Sequence, residues 1–340
     1  MLIDEKGSGN LLIKYEIRKI IKNPIVWILM LFFLVINILN IEMQVHDYKK
    51  DIKLTYQYIL NDKIDKEYLN SVVSIYDDFN MQIVKNTKMD LYDYNPSGKY
   101  KLFIDNCYKK LEKRVEEIKN DGESTQLTYP GQVYRLHKLL YYNIFKKLLL
   151  EMAVVISICT LFLMDYERIN NTTGIVYATK KGRTIQKSKM ISAMIAGSVI
   201  NGILMIGTLG YYFANISYKG LWNTSLSSAM AMESRGILKY PFITYAKMSY
   251  AKYLLFTICY ATVLIILISV LSSAIQLVTN NSYISIIIVV ITMLGLLNVL
   301  QFSTNTWLDL LLSFNLASSW KDCGSWFMEN HLFTSFKAYD

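Results

Sequence analysis

Five long apolar runs constrain this chain more than any other feature of its sequence. They are Pro24–Ile41 (PIVWILMLFFLVINILNI), Leu148–Met164, Met190–Phe213, Tyr253–Leu271 and Tyr283–Phe302. A helix that crosses the hydrocarbon core of a bilayer needs about 20 mostly apolar residues. Lipid offers no partner to backbone N–H and C=O groups, so runs of this kind must be helical. The runs predict an all-α integral membrane protein with five transmembrane helices. Composition agrees, with 53% hydrophobic and 19% charged residues and a mean hydropathy of +0.24. Pro24–Ile41 is too long for the apolar region of a secretory signal, and no small-x-small cleavage site follows it. Asn23 and Pro24 read as the cap and first position of that helix.

Lysine and arginine near the span ends set the orientation. Lys6, Lys14, Arg18, Lys19 and Lys22 precede the first span; Arg168, Lys180, Lys181, Arg183, Lys187 and Lys189 lie between the second and third. Both segments are expected on the cytoplasmic side. Residues 42–147 then form an extracytoplasmic domain, 214–252 an outer loop, 272–282 an uncharged inner loop, and 303–340 an outer interfacial or re-entrant helix and tail. Residues 42–147 and 214–252 also carry lysine, and translocation of long segments is largely indifferent to charge. The net charge of +9 fits this cytoplasmic bias. Abundant Lys, Ile, Asn and Tyr point to an AT-rich bacterial gene, and hence to the cell membrane of a bacterium.

Leu11–Lys22 reads as an amphipathic helix. Lys14, Arg18 and Lys22 recur every four residues, and Ile13, Ile17, Ile20 and Ile21 occupy the adjacent face. Such a helix lies in the membrane interface with its cations on anionic headgroups; a plain basic flank of the first span is the alternative. In the outer domain, Leu69, Val72, Tyr76, Phe79 and Ile83 form one stripe at helical spacing, and Ile104, Tyr108, Leu111, Val115 and Ile118 a second. The two predict an α-hairpin turning at DYNPSG, residues 93–98; pairing with another chain is the alternative.

Within the spans, Glu151 is a functional candidate as an intramembrane acid. Its place just after Lys146 and Lys147 favours a carboxylate that reaches the interface. Ala193/Gly197 and Ser198/Gly202 are small-xxx-small pairs suited to close helix packing, and Asn201 can hydrogen-bond across the bundle. A Cys107–Cys323 disulfide is left open, with no support from spacing. The four cysteines and three histidines form no metal motif. There is no GxxxxGK[ST] loop, and no GxSxG, HExxH or kinase signature, so no catalytic residue and no bound cofactor is expected. The basic block between the second and third spans lacks the interleaved aromatics of a nucleic-acid reader.

That block, DYERINNTTGIVYATKKGRTIQKSKM (Asp165–Met190), together with KYEIRKIIKNP (Lys14–Pro24), resembles the permease subunit of ABC-2-type transporters. The matching pattern is an acid after the second span (Glu167), a turn at Thr173–Gly174, and a short apolar helix at Ile175–Val176–Tyr177. A basic turn follows at Lys180, Lys181, Gly182 and Arg183, then Lys187 or Lys189 entering the third span. The resemblance implies that residues 165–189 are a coupling segment docking on a cytosolic ATP-binding-cassette ATPase, and residues 1–23 an elbow helix. ATP and Mg would be handled by that partner, so the chain would not itself be an enzyme. It further implies a second permease copy or paralogue, and export of a peptide, lipid-like or drug-like substrate. The family has six spans, so a sixth is expected beyond Asp340. Independently of the resemblance, a short helix bearing Ile175, Val176 and Tyr177 suits a knob buried in a partner's groove. Thr172 or Thr173 would start it and Gly182 would end it. A solvated basic loop is the alternative. Two other functions remain in view: a non-transporting signalling or mechanotransmission protein, and a structural membrane protein needing no ATPase.

Overall fold

The computed structural model describes residues 4–61, 76, 77, 79–91, 97–126, 136–178, 185–228, 232–235, 238–298, 307, 312 and 315–329. These fall into two compact units. The first comprises Met1–Ile41, Lys147–Asn215 and Cys259–Gly295, and the second Glu42–Lys146, Ile216–Ile258 and Leu296–Asp340.

Among the described residues, four helices are long and apolar enough to cross a membrane, over Pro24–Tyr48, Lys138–Ile169, Ile185–Asn215 and Tyr250–Thr279. The chain therefore has the make-up of a multi-pass helical membrane protein. The fifth predicted span, Tyr283–Phe302, is realised as a helix over Ser282–Asn298 of 17 residues. Residues 299–302 of that predicted span lie outside the described residues.

In the first unit, α1 (Asp4–Ile21) is followed by α2 (Pro24–Asn61). The break sits where Pro24 removes an N–H and pushes Asn23 out of helical geometry. Asn23 caps α2 by accepting from the Ile25 N–H at 3.0 Å. Next come α5 (Lys146–Ile169), α6 (Thr173–Tyr177), α7 (Ile185–Asn215), α8 (Tyr250–Thr279) and α9 (Ser282–Asn298). α5 is the central helix: 72% of its apolar stretch is buried, against 28% for α2 and 33% for α8. α1 packs along α7, with Ile20 buried and Lys14, Arg18 and Lys22 exposed. Ile21, expected on the buried face, is half exposed.

Where helices meet most closely, side chains are missing. A Cβ on Gly197 would overlap the Ile156 side chain of α5, and one on Gly207 would lie 2.8 Å from Leu34 Cδ1 of α2. Ala193 is fully buried as expected. Gly202 is not a packing position, because a Cβ there would meet open space. Serine and threonine tie α8 inward, through Thr160 with Ser269 at 2.8 Å and Ser272 donating to Ser157 at 3.3 Å. The inner loop read over 272–282 is mostly helix, since α8 continues to Thr279. Only Asn280 and Asn281 make the turn, and Asn281 Oδ1 caps α9 by accepting from Tyr283 N–H at 3.0 Å.

In the second unit, α3 (Met81–Leu91) packs on α4 (Gly98–Asn120). The stripe Ile104, Tyr108, Leu111, Val115 and Ile118 is buried as α4's inner face. The other stripe breaks: Tyr76 and Phe79 precede α3, Ile83 is exposed, and Met81 and Val84 take the buried positions. Leu69, Val72 and residues 93–96 of the expected turn lie outside the described residues. A buried Arg114–Glu123 pair, at 3.0 and 3.1 Å, ties α4 to the turn that follows it, and each partner is bonded to the segment after Ile216. Arg114 Nε also donates to Thr244 O, and Ser225 Oγ donates to Glu123.

The segment read as an outer loop over 214–252 contains a two-stranded antiparallel ribbon, β1 (Met232–Arg235) and β2 (Leu238–Pro241), with Met232 opposite Pro241. Among the described residues, the regular structure is therefore helical apart from this ribbon. The segment read as an interfacial helix over 303–320 is described chiefly at α10 (Leu316–Lys321), capped by Asn315. Its continuation is core and not interface, because Trp326 is buried and its indole donates to Ser319 O at 2.7 Å.

A π-helical segment, Lys138–Phe145, runs directly into α5. Just before it, His137 is fully buried among Tyr141, Tyr142, Phe242 and Tyr253. Its Nε2–H donates to Gly324 O at 2.6 Å, and the same oxygen accepts the Tyr253 hydroxyl at 2.7 Å. Burial pulls the imidazole pKa down to about 4, and the Gly324 hydrogen bond offsets only part of that. Cys107 and Cys323 are both free thiols. Burial pushes the Cys323 thiol up to about 12, and its S–H donates to Tyr141 O.

Candidate functional site

Of the residues singled out in the sequence, Glu167 and Lys189 meet at the last turn of α5. That helix ends in a Schellman motif: Asn171 takes a left-handed φ of 55°, its N–H donates to Arg168 O at 3.1 Å, and Thr172 N–H donates to Glu167 O at 2.8 Å. Asparagine is one of the few side chains that tolerates this geometry. The Thr172 hydroxyl also donates to Glu167 O and makes no cap for α6, contrary to the expectation from sequence.

α6 follows at once. Gly174 and Ile175 are exposed, Ile175 to 73%, and Val176 is half-buried. Tyr177 ends the helix; its side chain, with Lys181, Gly182 and Arg183, lies outside the described residues. The expected stop at Gly182 is thus not where α6 ends.

At the end of α5 sits a charge cluster that spacing alone did not reveal. Glu167 accepts from Lys19 at 3.0 Å through Oε1 and pairs with Lys189 through Oε2. Lys19 also bonds Glu16 at 2.7 Å and lies 4.4 Å above the Tyr166 ring. Lys189 is 1% exposed and donates to Met164 O at 3.3 Å. Between the two lysines left open at the start of the third span, Lys189 is the buried partner and Lys187 is exposed. Ser192 Oγ donates to Ile13 O at 3.2 Å, adding a second tie between α1 and α7.

Two residues earlier, Asp165 accepts from Arg168 and from Ser282 Oγ, each at 2.7 Å, and Arg168 also donates to Asn280 O. The end of α5 thus holds α1, α7 and the α8–α9 turn. The apparent lack of charge in that turn is answered by Arg168 from α5. Local sequence carried the pairings of Asp165 with Arg168 and of Glu16 with Lys19, each three residues apart on one helix.

Glu151 does not reach outward. It is 8% exposed, and its Oε2 accepts the Asn37 amide of α2 at 2.5 Å, while the same amide donates to Thr208 Oγ1 of α7 at 3.2 Å. The nearby Lys147 ammonium turns to Asn40 Oδ1 at 2.7 Å. An acid inside a helix bundle is held by such partners, because lipid supplies none. Asn201 bonds across the bundle as expected, donating to Met152 O at 3.0 Å. Among the described residues, no group of three or more His, Cys, Asp or Glu side chains is placed to hold a metal ion. No family model, curated protein or solved structure matches the chain.

Proposed function

We propose that the chain is the membrane-spanning permease subunit of an ABC-2-type transporter, moved by a separate cytosolic ATPase that docks on α6. One observation carries the reading: Ile175 stands exposed on a short helix whose two flanks, α5 and α7, are clamped together by Glu167 and Lys189. An apolar side chain so displayed suits a pocket in a soluble partner. The clamp gives a push on α6 a stiff route into two membrane-length helices. In this reading α6 and the N-terminus lie in the cytoplasm of a bacterial cell, and residues 42–147 lie outside. ATP and Mg belong to the partner, a second permease copy completes the path, and the cargo is a peptide, lipid-like or drug-like molecule.

The test is co-purification with a co-expressed ATPase. Ile175→Asp is expected to abolish it while leaving the chain folded, since the side chain is mostly exposed. Unchanged co-purification removes the docking assignment. Cysteines at Gly174 and Lys99, in a cysteine-free background, are expected to label from opposite sides of the membrane.

A second reading has its own support. Residues of the second unit form a separate apolar core around Tyr76, Tyr100, Tyr108 and Ile118. Such a domain suits a non-transporting mechanotransmission protein. ATP-dependent efflux from vesicles separates the two: transport favours the permease, and ATP turnover without efflux favours transmission.

A further inference from the structure

A cavity of about 530 Å³ lies beside the α1–α2 break, lined by Tyr15, Arg18, Lys19, Lys22, Asn23, Pro24, Phe162 and Tyr166. Its lining holds three cations and no carboxylate. Lys19 is already spoken for by Glu16 and Glu167, and Lys189 completes that group. Two ammonium groups and two carboxylates cancel there. The charges of Arg18 and Lys22 remain, and among the described residues neither has an ion pair. They stand four residues apart, close enough for both to reach one anion. Asn23 is occupied as the α2 cap and Pro24 has no N–H, so the two free cations supply the recognition.

The surroundings define the rest of the ligand. Aromatic rings of Tyr15, Phe162 and Tyr166 wall the cavity, and Leu11, Ile21, Ile25 and Ile28 lie exposed on the helices beside it. Its volume falls in the ~300–1,000 Å³ range of small-molecule sites and exceeds what a bare inorganic anion fills. From this combination we infer that the cavity binds the phosphate headgroup of an anionic phospholipid, whose acyl chains lie along the exposed apolar side chains. Arg18 and Lys22 hold the phosphate. Lys14, exposed on the same helix but absent from the lining, takes no part. The site is independent of whatever docks on α6.

The experiment titrates the full chain, purified in neutral detergent, with short-chain phosphatidylglycerol, phosphatidylcholine of the same acyl length, and inorganic phosphate. Binding is read from tryptophan fluorescence and from the unfolding midpoint. Phosphatidylglycerol is expected to bind in preference to the other two. Arg18→Gln and Lys22→Gln are each expected to weaken it about tenfold, and Lys14→Gln by less than about twofold. Equal losses from all three variants would reduce the effect to diffuse surface charge and overturn the site. Equal binding of phosphatidylcholine overturns it as well. Competition by inorganic phosphate at matched concentration would assign the cavity to a soluble phosphate and overturn the lipid. Should Arg18→Gln fail to fold, Lys22→Gln carries the comparison alone, since Lys22 lies past the end of α1.

Discussion

The Glu167 carboxylate, in the last turn of α5, is shared between Lys189 of α7 and Lys19 of α1. Removing one member of a buried ion pair strands the other charge, which costs about 3–5 kcal/mol. Glu167→Gln strands Lys189 and leaves Lys19 to Glu16 alone, whereas Lys189→Met leaves Glu167 paired with Lys19, so the first is expected to be the more damaging. The double variant is expected to be less unstable than the two losses added together. Denaturant unfolding in detergent measures the cycle, and simple additivity would show that the two side chains act separately.

Gly197 and Gly202 look alike in the sequence and are expected to behave differently. Gly197→Ala drives a methyl into Ile156 and is expected to cost about 1–3 kcal/mol. Gly202→Ala enters open space and is expected to be neutral or to stabilise the helix by up to about 1 kcal/mol. Unfolding midpoints of the two variants check this. An equal penalty at both positions contradicts the packing described for α7.

The Asn37–Glu151–Thr208 contact joins α2, α5 and α7 inside the bundle. Asn37→Leu is expected to destabilise by about 1–2 kcal/mol. Glu151→Gln keeps an acceptor for the Asn37 amide and is expected to be milder. The reverse order, in the same unfolding assay, would mean that Glu151 owes its place to some other partner.

His137 makes stability depend on pH. Its folded pKa of about 4 lies below the ordinary 6.5, so between those values the unfolded chain binds more protons than the folded one. Stability is then complete above about pH 6.5, declines as pH falls toward 4, and stays reduced below it; the loss approaches about 3 kcal/mol. His137→Gln is expected to flatten this part of the profile. Thermal unfolding of both proteins from pH 7 to pH 4 isolates the contribution, and parallel profiles would refute it.

Much of the first unit was legible because lipid leaves the backbone no choice but helix. The long apolar runs, the Asn23–Pro24 start and the buried Ala193 all followed from local chemistry. The second unit was read unevenly. Ile104 to Ile118 kept its period along one continuous helix, whereas Tyr76 to Ile83 kept the same period across a turn, where spacing has no geometric meaning. The pairs of Glu167 with Lys19 and Lys189, and the contacts of Arg114 with Thr244 and of Glu123 with Ser225, join residues from separate elements. No short window of sequence contains such pairs, and only tertiary packing makes them neighbours. Glu151 was misread because proximity to Lys146 and Lys147 in sequence outweighed partners on α2 and α7 that the sequence does not disclose.

The two bare positions on α7 have a mechanical consequence. Gly197 receives Ile156 from α5 and Gly207 receives Leu34 from α2. These notches lie about 15 Å apart along the axis and roughly 80° apart around it. A rod keyed at two heights and two bearings can neither spin nor slide without unseating a knob. Any thrust arriving at the α6 end of α7 therefore displaces α2 and α5 with it, as one strut, and is not spent on turning a single helix within its socket.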